Sequence, residues 1–281
     1  MESAAILLIG GRSTRMGKSK AELSWHGQTF ADRVARILIR ATRGNLIVVS
    51  APGQQLPPLP PEATITNDAH TDRGPLEGIA AGLRMLPQDT VTYVSSTDVP
   101  LLHPDLVEHV INSLEDQFDV VVCKTEGRLH PLAAAYRTSL LNEIEDLILK
   151  GERRPITLFD QVRTRVLDQE ALLRNKKISA HDNDLLSLLN INSPDEYSRA
   201  HSLEVPPIRV KRLGLLKDVS QCRSPLEQIP AATLGSLALS AGIELGDHVV
   251  AALNGEQITR DASLPLVAGD HVTFLTADGG G

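Results

Sequence analysis

The sequence predicts an α/β fold built on a mostly parallel sheet, followed by a second and smaller module of strands around one helix. Two observations carry this. Within the first fifty of 281 residues, an unbroken apolar run (Ala4–Ile9), a glycine-interrupted polar loop, an amphipathic stretch and a second apolar run (Leu46–Val49) form a βαβ pattern. The composition then shifts at Glu204-Val205-Pro206-Pro207, after which a new short strand begins.

The first run is continuous rather than alternating, as in a strand buried on both faces. It stops at Gly10-Gly11. Val34, Ile37, Leu38 and Ala41 have the spacing of one helical face over residues 30–41. Five prolines between Pro52 and Pro61 make a loop. A helix over 76–86 leads into a strand at 91–94 that ends in Ser95-Ser96-Thr97-Asp98. A helix over 106–114, a strand over 119–123 and a helix over 140–149 follow. His130-Pro131 reads as a turn before Leu132–Ala135. Ser193 and Glu196 make a capping box, with Pro194 at the first helical position. After the shift come a strand at 208–213, a second strand, a helix around 234–241, a strand at 249–253, a turn at Asn254-Gly255 and a strand at 272–275. The domains expected are therefore 1–203 and 208–281, joined by a linker at 204–207.

Hydrophobic residues are 42% and charged residues 22%, which excludes a disordered chain. A net charge of −7 and only 3% aromatics argue against nucleic-acid binding, whether by tracking phosphates or by stacking bases. Cys123 and Cys222 fit neither a disulfide framework nor a zinc spacing. The run Ala4–Ile9 is too short for a signal segment or a membrane span, so the chain reads as cytoplasmic.

The chemistry concentrates in Leu8-Ile9-Gly10-Gly11-Arg12-Ser13-Thr14-Arg15-Met16-Gly17-Lys18-Ser19-Lys20. This string leaves the carboxyl end of the first strand, where open parallel sheets bind ligands. Its glycines permit close backbone approach, and Arg12, Arg15, Lys18 and Lys20 gather positive charge, the equipment for a triphosphate. Five residues between Gly11 and Gly17, instead of four, exclude a Walker A loop.

The string resembles the LxGGxSxRMGxxK signature of the nucleotidyltransferases that make molybdenum cofactor dinucleotides, the MobA family of guanylyltransferases. Gly74-Pro75-Leu76-Glu77-Gly78, Thr97-Asp98-Val99-Pro100, His130-Pro131, Gly151-Glu152-Arg153-Arg154 and Asn190-Ile191-Asn192-Ser193-Pro194-Asp195-Glu196 extend the resemblance in order over residues 4–200. It implies a Rossmann-like fold of the nucleotide-diphospho-sugar transferase type and transfer of GMP from GTP to molybdopterin, with Mg²⁺ and release of pyrophosphate. By the same resemblance Leu8, Ile9, Gly10, Gly11, Ser50 and Asp68 contact nucleotide. Lys20 binds phosphate, Asp98 holds Mg²⁺, and Arg15 joins Lys20 and Asp98 as a catalytic candidate. His130, Asn190 and Asn192 fall on the pterin side. Ser19 stands where the family usually has Asp, and Ser50 where some members have Asn. Gly10-Gly11 and Gly74-Pro75-Leu76 match the guanylyl rather than the cytidylyl branch.

The last 75 or so residues have the element order of a β-grasp (ubiquitin-like) module and resemble the MoaD/ThiS sulfur carriers. The matching residues are Asn254-Gly255-Glu256, Ala268-Gly269-Asp270-His271-Val272 and the terminal Gly280-Gly281. That resemblance implies a tail that an adenylyltransferase of the MoeB type activates, and docking on the large subunit of molybdopterin synthase. The alternatives are a molybdopterin cytidylyltransferase, a sugar-1-phosphate nucleotidyltransferase and, without catalysis, a degenerate transferase serving as scaffold for the carrier.

Overall fold

The structure, a computed structural model, describes residues 3–10, 20–68, 74–217 and 227–276. The chain divides into two compact units, Met1–Ser198 and Arg199–Gly281.

In the first unit the apolar runs become a sheet of seven strands among the described residues. β1 (Ser3–Ile9) lies between β4 (Leu46–Ser50) and β6 (Val91–Ser96), parallel to both, and β5 (Ala63–Asn67) continues the parallel set beyond β4. On the other side of β6, β8 (Arg128–Arg137) runs antiparallel, followed by β7 (Val120–Thr125) and β9 (Thr164–Asp168), giving the order β5-β4-β1-β6-β8-β7-β9. The chain leaves β1 toward β4 and β5, then returns to β6 on the other side. That reversal opens a crevice at the carboxyl end of β1.

The helices follow from the period-3.6 stretches. α1 (Phe30–Thr42) packs beside α3 (Pro104–Asn112), and α2 (Pro75–Leu83) beside α4 (Leu141–Leu149). Ile6 joins the core under α2 and α4 with Ile47, Val49, Val94 and Tyr136. Ala5 and Leu7, equally buried, alternate to the opposite face. Glycine lets α2 approach β1 closely: a Cβ on Gly78 would stand 3.0 Å from Leu8, and one on Gly82 2.6 Å from Ile6. Cys123 is a free thiol inside β7, and burial pushes it up to about 12, which removes it as a nucleophile.

Two local expectations are corrected. His130-Pro131 is not a turn but part of β8. The turn lies earlier, at Glu126-Gly127, whose φ values of 50° and 78° suit a two-residue hairpin. The proline is accommodated by a register break, Val122 facing Ala134 while Cys123 faces His130. The segment before α1, read as polar loop, contains the hairpin β2 (Ser24–Trp25) and β3 (Gln28–Thr29), closed by His26 and Gly27 at φ 45° and 88°.

In the second unit β10 (Pro207–Arg212) and β14 (His271–Thr276) pair in parallel at the centre of a sheet ordered β11-β10-β14-β12-β13. β11 is Glu227–Pro230, β12 Val249–Leu253 and β13 Gln257–Thr259. The helix α9 (Leu234–Ser240), held by a Thr233/Ser236 capping box, contributes Leu234, Leu237 and Ala238 to a core with Ile208, Val210, Val272 and Phe274.

The two motif strings of this unit meet. Asn254 and Gly255 turn at φ 52° and 79°, Asn254 Nδ2 donates to Asp270 Oδ1 (2.9 Å), and the amides of His271 and Val267 donate to Asn254 Oδ1 and Asp270 Oδ2. These residues hold the fold together. Asp270→Ala is expected to remove about 1–3 kcal/mol from this unit, since it leaves the buried Val267 amide unpaired. Hydrogen exchange of the β12 and β14 amides measures it, and unchanged protection would contradict the assignment.

Candidate active site

The carboxyl edge of β5, β4, β1 and β6 assembles the site in strand register. Ile9 faces Ser50, Ser50 faces Asn67, and Leu8 faces Ser96. Consequently Gly10, Asp68 and Asp98 leave neighbouring strands at one edge. A Cβ on Gly10 would meet nothing within 4 Å among the described residues, so none of them requires glycine there. Ser50 is buried, donates through Oγ to Asn67 Oδ1 (3.0 Å) and accepts the Asp68 amide on its carbonyl (3.1 Å), which ties the ends of β4 and β5.

Asp98 is held from three directions. Ser96 Oγ donates to Oδ1 (2.5 Å), Lys20 Nζ lies 3.3 Å from Oδ2, and the Asp98 carbonyl accepts the Ile191 amide (2.8 Å). Lys20, from a single 3₁₀ turn Lys20–Glu22, also donates to Asn192 Oδ1. Residues 20, 98 and 192 thus converge from three distant parts of the chain. Asn192 is itself fixed at the start of α8 (Pro194–Ser202): Glu196 Oε2 accepts its amide (2.7 Å), and Ser193 Oγ accepts the amide of Glu196 (3.2 Å). The carboxylate reaches one residue farther back than an ordinary capping box. The Asn192 amide is the main cause that holds the Glu196 carboxyl below its usual range, with the Lys20 charge adding to it.

The other candidates fall outside this cluster. His130 is on the same sheet edge, because β8 runs antiparallel beside the end of β6, but its Nε2 bonds Thr125 Oγ1 (2.7 Å). Burial, then the charge of Arg128, lowers its basicity. Asn190 is exposed, one residue before buried Ile191. Gly74, at φ 86° before α2, meets the Gly151–Arg154 string: Arg153 O accepts the Leu76 amide (3.4 Å) and lies 2.8 Å from where a Gly74 Cβ would be. Gly11, Arg12, Arg15, Lys18, Gly280 and Gly281 lie outside the described residues.

Arg33, a residue that motif reading passed over, braces the site. It is 2% exposed, donates from Nε to Pro100 O (2.8 Å) and from Nη1 to Gln28 Oε1 (3.3 Å), and places its guanidinium 4.2 Å from the Trp25 ring centroid. Tyr197 completes the brace by donating to Ser24 O (2.8 Å). The hairpin after Lys20, the loop after Asp98 and the helix after Asn192 are thereby linked. The available signal was a cation one turn before Ile37, on the apolar face of α1.

Residues 5–166 match the MobA-like NTP transferase domain family. A protein named "Probable molybdenum cofactor guanylyltransferase" from Mycolicibacterium paratuberculosis is 34% identical over 64% of this chain and 93% of its own length. A molybdenum cofactor guanylyltransferase from Desulfosudis oleivorans is 31% identical over 70% of this chain and 93% of its own. The crystal structure of molybdopterin-guanine dinucleotide biosynthesis protein A from Archaeoglobus fulgidus is similar in fold, with a TM-score of 0.57 at 24% identity over 70% of this chain and 96% of that one. No helix among the described residues is long and apolar enough to cross a membrane. An α/β sheet with Lys20, Asp98 and Asn192 gathered at the switch point and this sequence match together place the chain in the MobA-like NTP transferase family, as a nucleotidyltransferase.

Proposed function

We propose that the first unit transfers GMP from GTP to molybdopterin, releasing pyrophosphate. The observation that carries the reading is the convergence of Lys20, Asp98 and Asn192 at the crevice beside β1, in a chain whose curated relatives are named molybdenum cofactor guanylyltransferases. Leu8, Ile9 and Gly10 line the nucleotide with backbone, with Ser50 and Asp68 beside them. Lys20 neutralises charge on the α-phosphate and on the departing pyrophosphate. An oxygen of the molybdopterin phosphate forms the new bond to the α-phosphorus as the bond to the β-phosphate breaks. The attacking group is already an anion, so no side chain has to take a proton from it.

The donor set at Asp98 suits Mg²⁺: a hard carboxylate oxygen, oriented by Ser96 and currently facing the ammonium of Lys20. When bound, the ion neutralises the phosphate oxygens as a Lewis acid. His130, Asn190 and Asn192 are assigned to the pterin side, and Arg15 to the phosphates.

For the second unit the reading is a sulfur carrier of the β-grasp type, carried by residues 208–281. Its support is the order β11-β10-β14-β12-β13 with one packed helix, and the Asn254–Asp270 bond that joins the two motif strings. The partners follow: an adenylyltransferase and the large subunit of molybdopterin synthase, in the cytoplasm.

A nucleotide panel tests the first reading. Purified protein, Mg²⁺ and molybdopterin are supplied with each NTP and scored for pyrophosphate. Release with GTP alone is expected. Release with CTP, or with sugar 1-phosphates in place of molybdopterin, moves the chain to those activities, and no release favours the scaffold. Deleting Gly280-Gly281 is expected to leave this activity intact while blocking thiocarboxylate formation by mass spectrometry.

A further inference from the structure

We propose that His103, Asp105 and His181 form a second metal site, suited to a transition ion of the zinc class and built from residues separate from Lys20, Asp98 and Asn192. One donor atom from each of the three lies within 4.8 Å of the others. His103 and Asp105 open α3, and His181 ends α7 (Lys176–His181), a helix also tied to α3 by the Asn175–His109 bond (3.0 Å).

Asp105 Oδ2 is the centre of the group, 3.4 Å from His103 Nδ1 and 2.8 Å from His181 Nδ1. Ligands about 2.0–2.1 Å from a tetrahedral ion stand about 3.3 Å from one another, so the first separation already fits and the second needs a small opening.

Charge points the same way. His103 Nδ1 accepts the Asp105 amide (3.1 Å), so this nitrogen carries no proton, and binding an ion through it exchanges that amide for the metal. The site already attracts a cation: Lys177 Nζ lies 3.6 Å from Asp105 Oδ1 and 3.7 Å from Glu108 Oε2, on a side chain exposed enough to move away. The His103 and Asp105 side chains are 8% and 13% exposed and His181 29%, so the cluster is largely desolvated and opens on the His181 side. Two imidazoles and one carboxylate select zinc, cobalt or nickel over magnesium, and three protein ligands leave a position open.

The test uses metal-stripped full-length protein titrated with ZnCl₂ against a chromophoric chelator, and with CoCl₂ followed by visible absorption. Wild type is expected to bind one tight zinc equivalent and to give the absorption of four-coordinate cobalt. His181→Ala and Asp105→Asn are each expected to weaken zinc at least 100-fold and to abolish the cobalt band, while Asp98→Asn retains both. Absence of a tight equivalent, an equivalent untouched by His181→Ala, or its loss in Asp98→Asn would overturn the proposal. His181 ends a short helix and is partly exposed, so its variant decides the matter even if Asp105→Asn fails to fold.

Discussion

Lys20→Ala is expected to slow pyrophosphate release from GTP by about 10²–10³-fold, the cost of removing one preorganised charge partner from a developing anion. Lys20 donates to both Asp98 and Asn192, so its loss also releases those two groups from each other. The loss belongs in kcat, because charge on the leaving pyrophosphate grows as the bond breaks. Stability should change by less than about 1 kcal/mol, as a partly exposed ion pair contributes little to folding. Asp98→Asn is expected to cost a similar factor and, in addition, to raise the Mg²⁺ concentration needed for half-maximal rate. Lys20→Ala should not raise that Mg²⁺ requirement, because it removes a cation that faces the same carboxylate. Single-turnover rates over a Mg²⁺ series separate the two variants. Full activity in Asp98→Asn would remove that residue from the metal site.

Arg33→Ala is expected to destabilise the first unit by about 3 kcal/mol. The substitution empties a fully packed position and strips the donor from the buried Pro100 carbonyl. Trp25, the only tryptophan in the chain, stacks on Arg33 and reports this unit's unfolding by fluorescence in urea. The same variant should lose activity by more than the fraction unfolded, because the loop carrying Asp98 is no longer tied to the hairpin that follows Lys20. Arg33→Lys is not expected to restore it: an ammonium lacks the planar face that stacks on the indole and the fork that reaches Pro100 and Gln28 together. A stability change below about 1 kcal/mol would show that the brace is incidental.

Much of this architecture was legible in the residues. Apolar runs at 4–9, 46–49 and 91–94 gave strands β1, β4 and β6, because a strand buried on both faces has no polar alternation to disguise it. Helices α1 to α4 were legible from their apolar faces. The edge strand β5 was hidden, since Ala63–Asn67 is largely exposed and follows a proline-rich loop. β8 was hidden by Pro131, which normally argues against a strand interior and is tolerated here by a register break. The hairpin signal was present in Glu126-Gly127, and its glycine was the overlooked clue. At the site, the family resemblance pointed to Lys20, Asp98 and Asn192 separately, but their convergence depends on the strand order. Glu196 read as a helix cap, and only the fold shows that it restrains the asparagine facing Lys20. Arg33 has no motif, and its role is visible only through Pro100 and Trp25.

The most direct test of the central proposal follows the α-phosphate. Protein, Mg²⁺ and molybdopterin are incubated with GTP labelled at that phosphorus, and the products are separated. The account predicts label in a guanine dinucleotide of the pterin, formed in equal amount with unlabelled pyrophosphate and absent in Lys20→Ala. Label recovered only in GDP or GMP, with no pterin adduct, would contradict it.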